Sequence, residues 1–190
     1  MTQPASYQHL IATLDQLPGI GPQAAQRLTD WLLATPAVRQ SLQQALAGAK
    51  TIIRCPTCRR YQLESDACGH CANLDRSDLV ALAVDERSAQ QIKDRGFPGV
   101  CWVSHGVLSP VNQQGPRELG LNALSDSLAT WQCQQLWLFL PDSVEGRTTE
   151  MFINQLLSEA EVEVHSVFYS GNDVAIAMES MSAEEASWGD

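Results

Sequence analysis

The stretch CPTCRRYQLESDACGHC places Cys55, Cys58, Cys68 and Cys71 as two C-x-x-C pairs separated by nine residues. Each pair can present two thiolates from one tight turn, and four thiolates in a tetrahedron suit Zn²⁺. With no other ligand needed, no position is left for water, so the ion is expected to be structural and not catalytic. Redox dithiol chemistry needs only one such pair at a helix start, in a context this chain does not supply. His70, between the last two cysteines, is an alternative ligand. Arg54, Arg59 and Arg60 flank the motif and would offset the charge of a four-thiolate centre or extend a basic surface. Cys101 and Cys133 have no partner spacing and read as buried thiols.

A second chemical signal is LPGIGPQAAQRL, residues 17 to 28. Tyr7, Leu10, Ile11, Leu14 and Leu17 recur at helical spacing before it, predicting a helix over residues 6 to 16. Pro22 suits the first position of a second helix, whose apolar face runs through Ala25, Leu28 and Leu32 to about Ala34. Gly19 and Gly21 make the turn between them. The first turn of the second helix then directs unpaired N–H groups, such as those of Gln23 and Ala24, toward solvent at the positive end of a helix dipole. Such an end suits one phosphate of a nucleic-acid backbone. A third helix follows, with Thr35 as its cap, Pro36 opening it, and Val38, Leu42, Ala45, Leu46 and Ala49 along one side.

The formal charge of −10 argues, taken whole, against a phosphate-bearing partner. Its distribution does not. Residues 1 to 60 hold six basic against two acidic side chains, net +4, whereas residues 61 to 190 hold six against twenty, net −14. A basic module joined to an acidic one is expected. No apolar run is long enough to span a bilayer, and the first residues lack the pattern of a signal peptide, so no membrane partner and a cytoplasmic location are expected.

From residue 78 the pattern alternates between strands and helices. DLVALAVDE, GVCWVSHG, QLWLFLP, VEVHSVFYS and DVAIAMES read as strands, with helices at RSAQQIKDRG, around 121 to 132, and at TTEMFINQLLSEA. This order predicts a mostly parallel sheet covered on both faces, with ligand groups at the carboxyl ends of its strands. Asp85, Glu86, Asp142 and Glu145 fall there, the last two in one loop. A hard cation such as Mg²⁺ would need several carboxylates at close range. Asp85, Asp142 and Glu145 could hold one only weakly, no two aspartates stand two residues apart, and no nucleophile or base accompanies them. No catalytic residue is assigned.

Leu17, Pro18, Gly19, Ile20 and Gly21 resemble the helix-hairpin-helix motif. The order of hairpin, C-x2-C-x9-C-x2-C and acidic α/β segment, with GVLSPVNQQGPREL and PDSVEGRTTEMFINQLL, resembles the RecR family of bacterial recombination mediators over roughly residues 6 to 175. The α/β part then corresponds to a Toprim domain, with Val144, Glu145 and Gly146 in the place of the family's Val-Glu-Gly segment. The resemblance implies a helix-hairpin-helix region at 1–50, a four-cysteine zinc finger at 51–76, a Toprim-like domain at 77–180 and a polar tail at 181–190. It implies a DNA-binding protein without sequence preference, gripping backbone through Gly19, Ile20, Gly21, Gln23 and Arg27. It also implies a homo-oligomer, a dimer or a tetrameric ring, acting with RecO and RecF to load the recombinase RecA on single strands in recombinational repair. Three departures stand out. Gln23 occupies a position where the family often has Lys, Asp85 one where it has Glu, and the Gly-rich acidic segment near the family's end is shortened. The other readings are a metal-dependent Toprim nuclease or primase-like enzyme, and a protein-only interaction module.

Overall fold

A computed structural model describes residues 3–72, 78–171 and 173–180; the tail expected at 181–190 and part of the 51–76 segment lie outside these. The chain divides into two compact units, one up to Ile52 and one from Ile53 onward, and the second contains the cysteine motif together with the sheet.

The first unit is three helices, α1 (Ala5–Asp15), α2 (Pro22–Ala34) and α3 (Pro36–Gly48). Pro22 and Pro36 each open a helix, where a missing N–H costs nothing. Thr35 precedes α3 as expected, but its side chain makes no capping bond; its φ of −123° and ψ of 76° do not set the hydroxyl toward the α3 amides. α1 and α2 are tied by the Tyr7 hydroxyl, which donates to Asp30 Oδ1 at 2.7 Å. Ala25, Thr29 and Leu32 are buried, but Leu17, Trp31, Leu33, Val38, Leu42 and Leu46 are exposed. A helical unit this small has too little interior to cover the apolar side predicted for α3.

A two-stranded sheet begins at the boundary, β1 (Ile52–Arg54) and β2 (Tyr61–Leu63), carrying the first cysteine turn between its strands. The main sheet follows: β3 (Leu79–Ala83), β4 (Val100–Val103), β5 (Gln135–Pro141) and β6 (Glu163–Tyr169), in the order β4-β3-β5-β6 and parallel throughout. Helices α4 (Glu86–Asp94), α5 (Leu124–Trp131), α6 (Val144–Leu156) and α7 (Val174–Ser180) complete it. Alternation along the strands divides the interior in two. Val80, Leu82, Trp102, Leu136 and Leu138 pack with Leu124 and Leu128 of α5, Ile153 of α6 and the buried cysteines Cys55, Cys58 and Cys68. Ala81, Val103, Trp137 and Phe139 pack with Ile92 of α4 and with Val174 and Met178 of α7.

Two expectations are corrected. DVAIAMES is not a strand but helix α7, preceded by Asp173, whose Oδ1 accepts from the Ala175 N–H at 3.1 Å. Val174 and Met178, four apart, place their side chains on one face, which closes over Tyr169 and Ile92. A short apolar run does not separate strand from helix by itself, and Ala, Met and Glu favour the helix. Glu145, expected in a loop, lies in the first turn of α6, because Ser143 caps that helix by accepting from the Gly146 N–H at 3.1 Å.

Gly146 has its own structural reason. A Cβ there would stand 2.0 Å from the backbone oxygen of Pro141, at the end of β5. Gly146→Ala is expected to destabilise the second unit by about 3 kcal/mol, because backbone must shift to relieve the overlap; unchanged urea unfolding in the variant would refute this.

Candidate metal centre and nucleic-acid interface

The cysteine motif folds into two knuckles. In the first, the Arg59 N–H donates to Cys55 O at 2.9 Å and the Cys55 N–H to Arg60 O at 2.8 Å, with Arg59 in the left-handed region at φ 63°. In the second, the Ala72 N–H donates to Cys68 O at 3.0 Å. The sulfurs of Cys55 and Cys71 lie 3.7 Å apart and those of Cys58 and Cys68 3.5 Å. All four fall within 4.8 Å of one another. A disulfide would bring two sulfurs to about 2 Å, and all four are free thiols. Metal–sulfur distances of about 2.3 Å give a tetrahedron with edges of ~3.8 Å, close to the separations in these two pairs. The donor set therefore fits a zinc finger, and His70 is not part of the group.

Burial works to raise the Cys55 thiol, but bonding to the backbone of Cys58 and Thr57 outweighs it and brings the thiol down to about 7. Cys58 is held up by the neighbouring Cys71 sulfur and by burial. Cys68 is raised by burial first. Four sulfurs this close cannot all ionise unless a cation sits among them. Cys101 and Cys133, by contrast, are each pushed up to about 12 by burial and take no part in the group.

The arginines beside the cysteines do not extend an open basic surface as a set. Arg54 is exposed, but Arg60 is buried, its Nε 2.9 Å from Glu86 Oε2, while Glu86 Oε1 accepts from the Tyr61 N–H at 2.8 Å. Arg59 Nε donates to Val103 O at 3.3 Å, and its guanidinium lies 5.5 Å from the centroid of the Trp102 ring. The Val103 N–H donates to Cys58 O at 3.0 Å, Ser127 Oγ to Thr57 O at 2.8 Å, and His105 Nε2 to Arg59 O at 2.7 Å. The first knuckle is thus seated on the carboxyl end of β4 and on α5. Nothing in the sequence marks Glu86 for this role; there it reads as one acid among several. Glu86→Gln, which leaves the buried guanidinium without a counter-charge, is expected to cost about 2 kcal/mol. Denaturant titration at unchanged metal content checks it.

In the first unit the hairpin turn has the expected backbone. Gly19 has φ 78°, and the Ile20 N–H donates to Leu17 O at 3.0 Å. Gly21 is the N-cap of α2, at φ −92° and ψ 175°, with no side chain capping the helix and no acid in its first turn. Pro22 has no N–H and the Ala25 N–H bonds Gly21 O at 2.9 Å, which leaves the Gln23 and Ala24 amides as the open donors of this end. A Cβ at Gly19 or Gly21 would meet nothing within 4 Å. Gln23 and Arg27 are both exposed one turn apart, and Arg27 makes no ion pair among the described residues. With the unit boundary at Ile52, the three arginines of the cysteine motif belong to the second unit. The first keeps Arg27, Arg39 and Lys50 against Asp15 and Asp30, net +1, and the second is net −11.

Two of the three carboxylates singled out in sequence have local partners. Asp85 caps α4, its Oδ1 accepting from the Ser88 N–H at 2.7 Å. Asp142 Oδ1 accepts from Arg147 Nη2 at 2.7 Å. Glu145 sits half-buried in the first turn of α6. Among the described residues, the four cysteines are the only group of three or more His, Cys, Asp or Glu with ligand atoms within 4.8 Å of one another, so these acids are not drawn together in that way.

The model of the RecR helix-hairpin-helix family matches residues 7–50. The Recombination protein RecR of Desulfitobacterium hafniense is 31% identical over 185 residues, covering 94% of this chain and 92% of that protein. This chain belongs to the RecR family. The RecR of Natranaerobius thermophilus is 32% identical over 96% of this chain and 94% of its own length, and that of Prochlorococcus marinus 33% over 83% and 79%. The matched spans cover both units, and with them the glycine turn, the thiol group and the parallel sheet. No described helix is long and apolar enough to cross a membrane.

Proposed function

We propose that this RecR family member serves recombinational DNA repair as a DNA-binding mediator and not as an enzyme. It holds nucleic-acid backbone without sequence preference at the turn formed by Gly19, Ile20 and Gly21, with Gln23 and Arg27 alongside. The observation behind this reading is the uncapped start of α2: open amides, a bare glycine backbone and no acid in its first turn, within the segment matched by the RecR hairpin family. Backbone contacts set position and read no base edges.

In this reading Cys55, Cys58, Cys68 and Cys71 hold Zn²⁺, which supplies structure only, since four protein thiolates close its coordination. The protein works in the cytoplasm as a dimer or tetrameric ring, so that many weak backbone contacts add to useful avidity. The acidic second unit receives a basic partner, RecO or RecF, during loading of a recombinase on single-stranded DNA. Asp85, Asp142 and Glu145 belong to that surface and not to a Mg²⁺ centre.

Titration of a labelled 30-nucleotide strand at several salt concentrations tests the mechanism. Affinity is expected to fall steeply as salt rises, equally for unrelated sequences. Affinity independent of salt would remove the backbone grip. Mg²⁺-dependent cleavage or synthesis that disappears in Glu145→Gln would replace the mediator by an enzyme.

A further inference from the structure

Between β4 and α5 the chain runs through residues 104–120 without regular structure, yet its shape is tightly specified. Ser109 and Gln114 exchange two backbone bonds, of 3.0 and 2.9 Å. Ser109 Oγ accepts from the Asn112 N–H at 3.4 Å, and the Leu121 N–H donates to Pro116 O at 2.8 Å. The Leu108 N–H donates to Thr149 Oγ1 at 2.8 Å, and that buried hydroxyl itself donates to Glu145 O at 2.7 Å, which fastens the loop to α6. Between loop and helix lies a cavity of about 460 Å³, lined chiefly by Leu108, Pro110, Gln113, Gly115, Pro116 and Thr148.

Apolar side chains continue outside it. Val144, Thr148 and Met151 follow at helical spacing on α6, with Val144 80% and Met151 71% exposed, and Val111 at the tip of the loop is 89% exposed. Uncovered apolar surface beside a preformed cavity marks an interaction site, and two prolines in its wall lower the entropy lost when it is filled. Thr148 Oγ1 already donates to Val144 O, so it asks nothing of a ligand.

Charge identifies the occupant. The unit is net −11; Glu145 and Glu150 lie on α6 and Glu118 touches the Gly115 N–H. Of the cations on the loop and on α6, Arg147 is engaged by Asp142 and by the Phe168 ring, which leaves Arg117; Arg59, against Gly120, is held by Val103 O and the Trp102 ring. A nucleic acid would meet repulsion and no aromatic platform. We infer that the cavity receives one apolar side chain, of Leu or Phe size, from a basic protein segment whose Lys and Arg residues face the surrounding acids. This rests on the reading that the acidic unit meets a basic partner, and adds where and by what anchor.

The test uses the full chain and fluorescein-labelled 12-residue peptides of Lys, Arg and Ser with one central Leu, followed by anisotropy. The Leu peptide is expected to bind about tenfold more tightly than the same peptide with Ser at the centre. A version with Glu for Lys and Arg should bind at least about tenfold more weakly. Thr148→Tyr, at an exposed helix position, should abolish the preference for Leu while leaving the melting temperature and oligonucleotide binding unchanged. Equal binding of the Leu and Ser peptides, or a preference that survives Thr148→Tyr, would overturn the anchor while sparing the basic-partner reading. No binding of either would overturn both. Self-association lost in Thr148→Tyr would reassign the cavity and refute the proposal.

Discussion

Cys58→Ser is expected to release the metal and to lower the unfolding temperature of the second unit by about 10 °C or more, a loss of several kcal/mol in a unit of this size. The size of the effect follows from where the knuckle sits. Cys58 contributes its sulfur to the thiol group and its carbonyl to the Val103 amide, and Thr57, Arg59 and Arg60 beside it bond Ser127, Val103 and Glu86. Cys55, Cys58 and Cys68 also share one apolar cluster with Trp102, Leu124 and Leu136. Losing the ion therefore removes a wall of the interior as well as a local clasp. Elemental analysis should give one zinc per chain in the wild type and none in the variant. A chelator should reproduce the shift in melting followed by tryptophan fluorescence. If the metal-free chain melted at the same temperature, the ion would be dispensable for the sheet and its structural role would be wrong.

What was legible in sequence was whatever is encoded locally. The cysteine spacing, Pro22 and Pro36 at helix starts, the all-apolar β3 and the apolar run Leu136–Leu140 of β5 each state their structure within a few residues, and the structure agrees with each. The misreadings have a common cause. DVAIAMES is too short for its periodicity to separate strand from helix, and the packing of Val174 and Met178 on α4 decides it. Arg59 and Arg60 look like surface charge in a linear reading; only the fold brings Glu86, twenty-six residues beyond Arg60, and Trp102 to meet them. The same blindness affected the charge count. A division at residue 60 counts Arg54, Arg59 and Arg60 into a basic first part of the chain, whereas the fold places them with the acidic second unit. The apolar side of α3 was legible, but its exposure was not, since periodicity reports which face is apolar and not whether anything covers it.

That smaller positive charge puts more weight on the α2 amides, and it makes glycine substitutions the sharpest test of the hairpin. Gly21 has ordinary backbone angles for any residue, and a Cβ there touches nothing in the protein. Gly21→Val should therefore leave the fold almost intact, at a cost of at most about 1 kcal/mol in N-cap preference, while its methyls stand over the Gln23 and Ala24 amides that are to receive a phosphate. Affinity for a labelled strand is expected to fall about tenfold or more, as a charge-assisted bond at a helix end would be lost at every hairpin of an oligomer. Gly19→Val differs in kind. Its φ of 78° is costly for a branched side chain, so affinity and thermal stability should fall together. Arg27→Ala should give a third signature, a modest loss with a smaller dependence on salt, because one screened cation has gone and the amides remain. Wild-type affinity in Gly21→Val would show that phosphate does not dock at these amides, whatever the other two variants did, and would move the DNA contact to another surface of the chain.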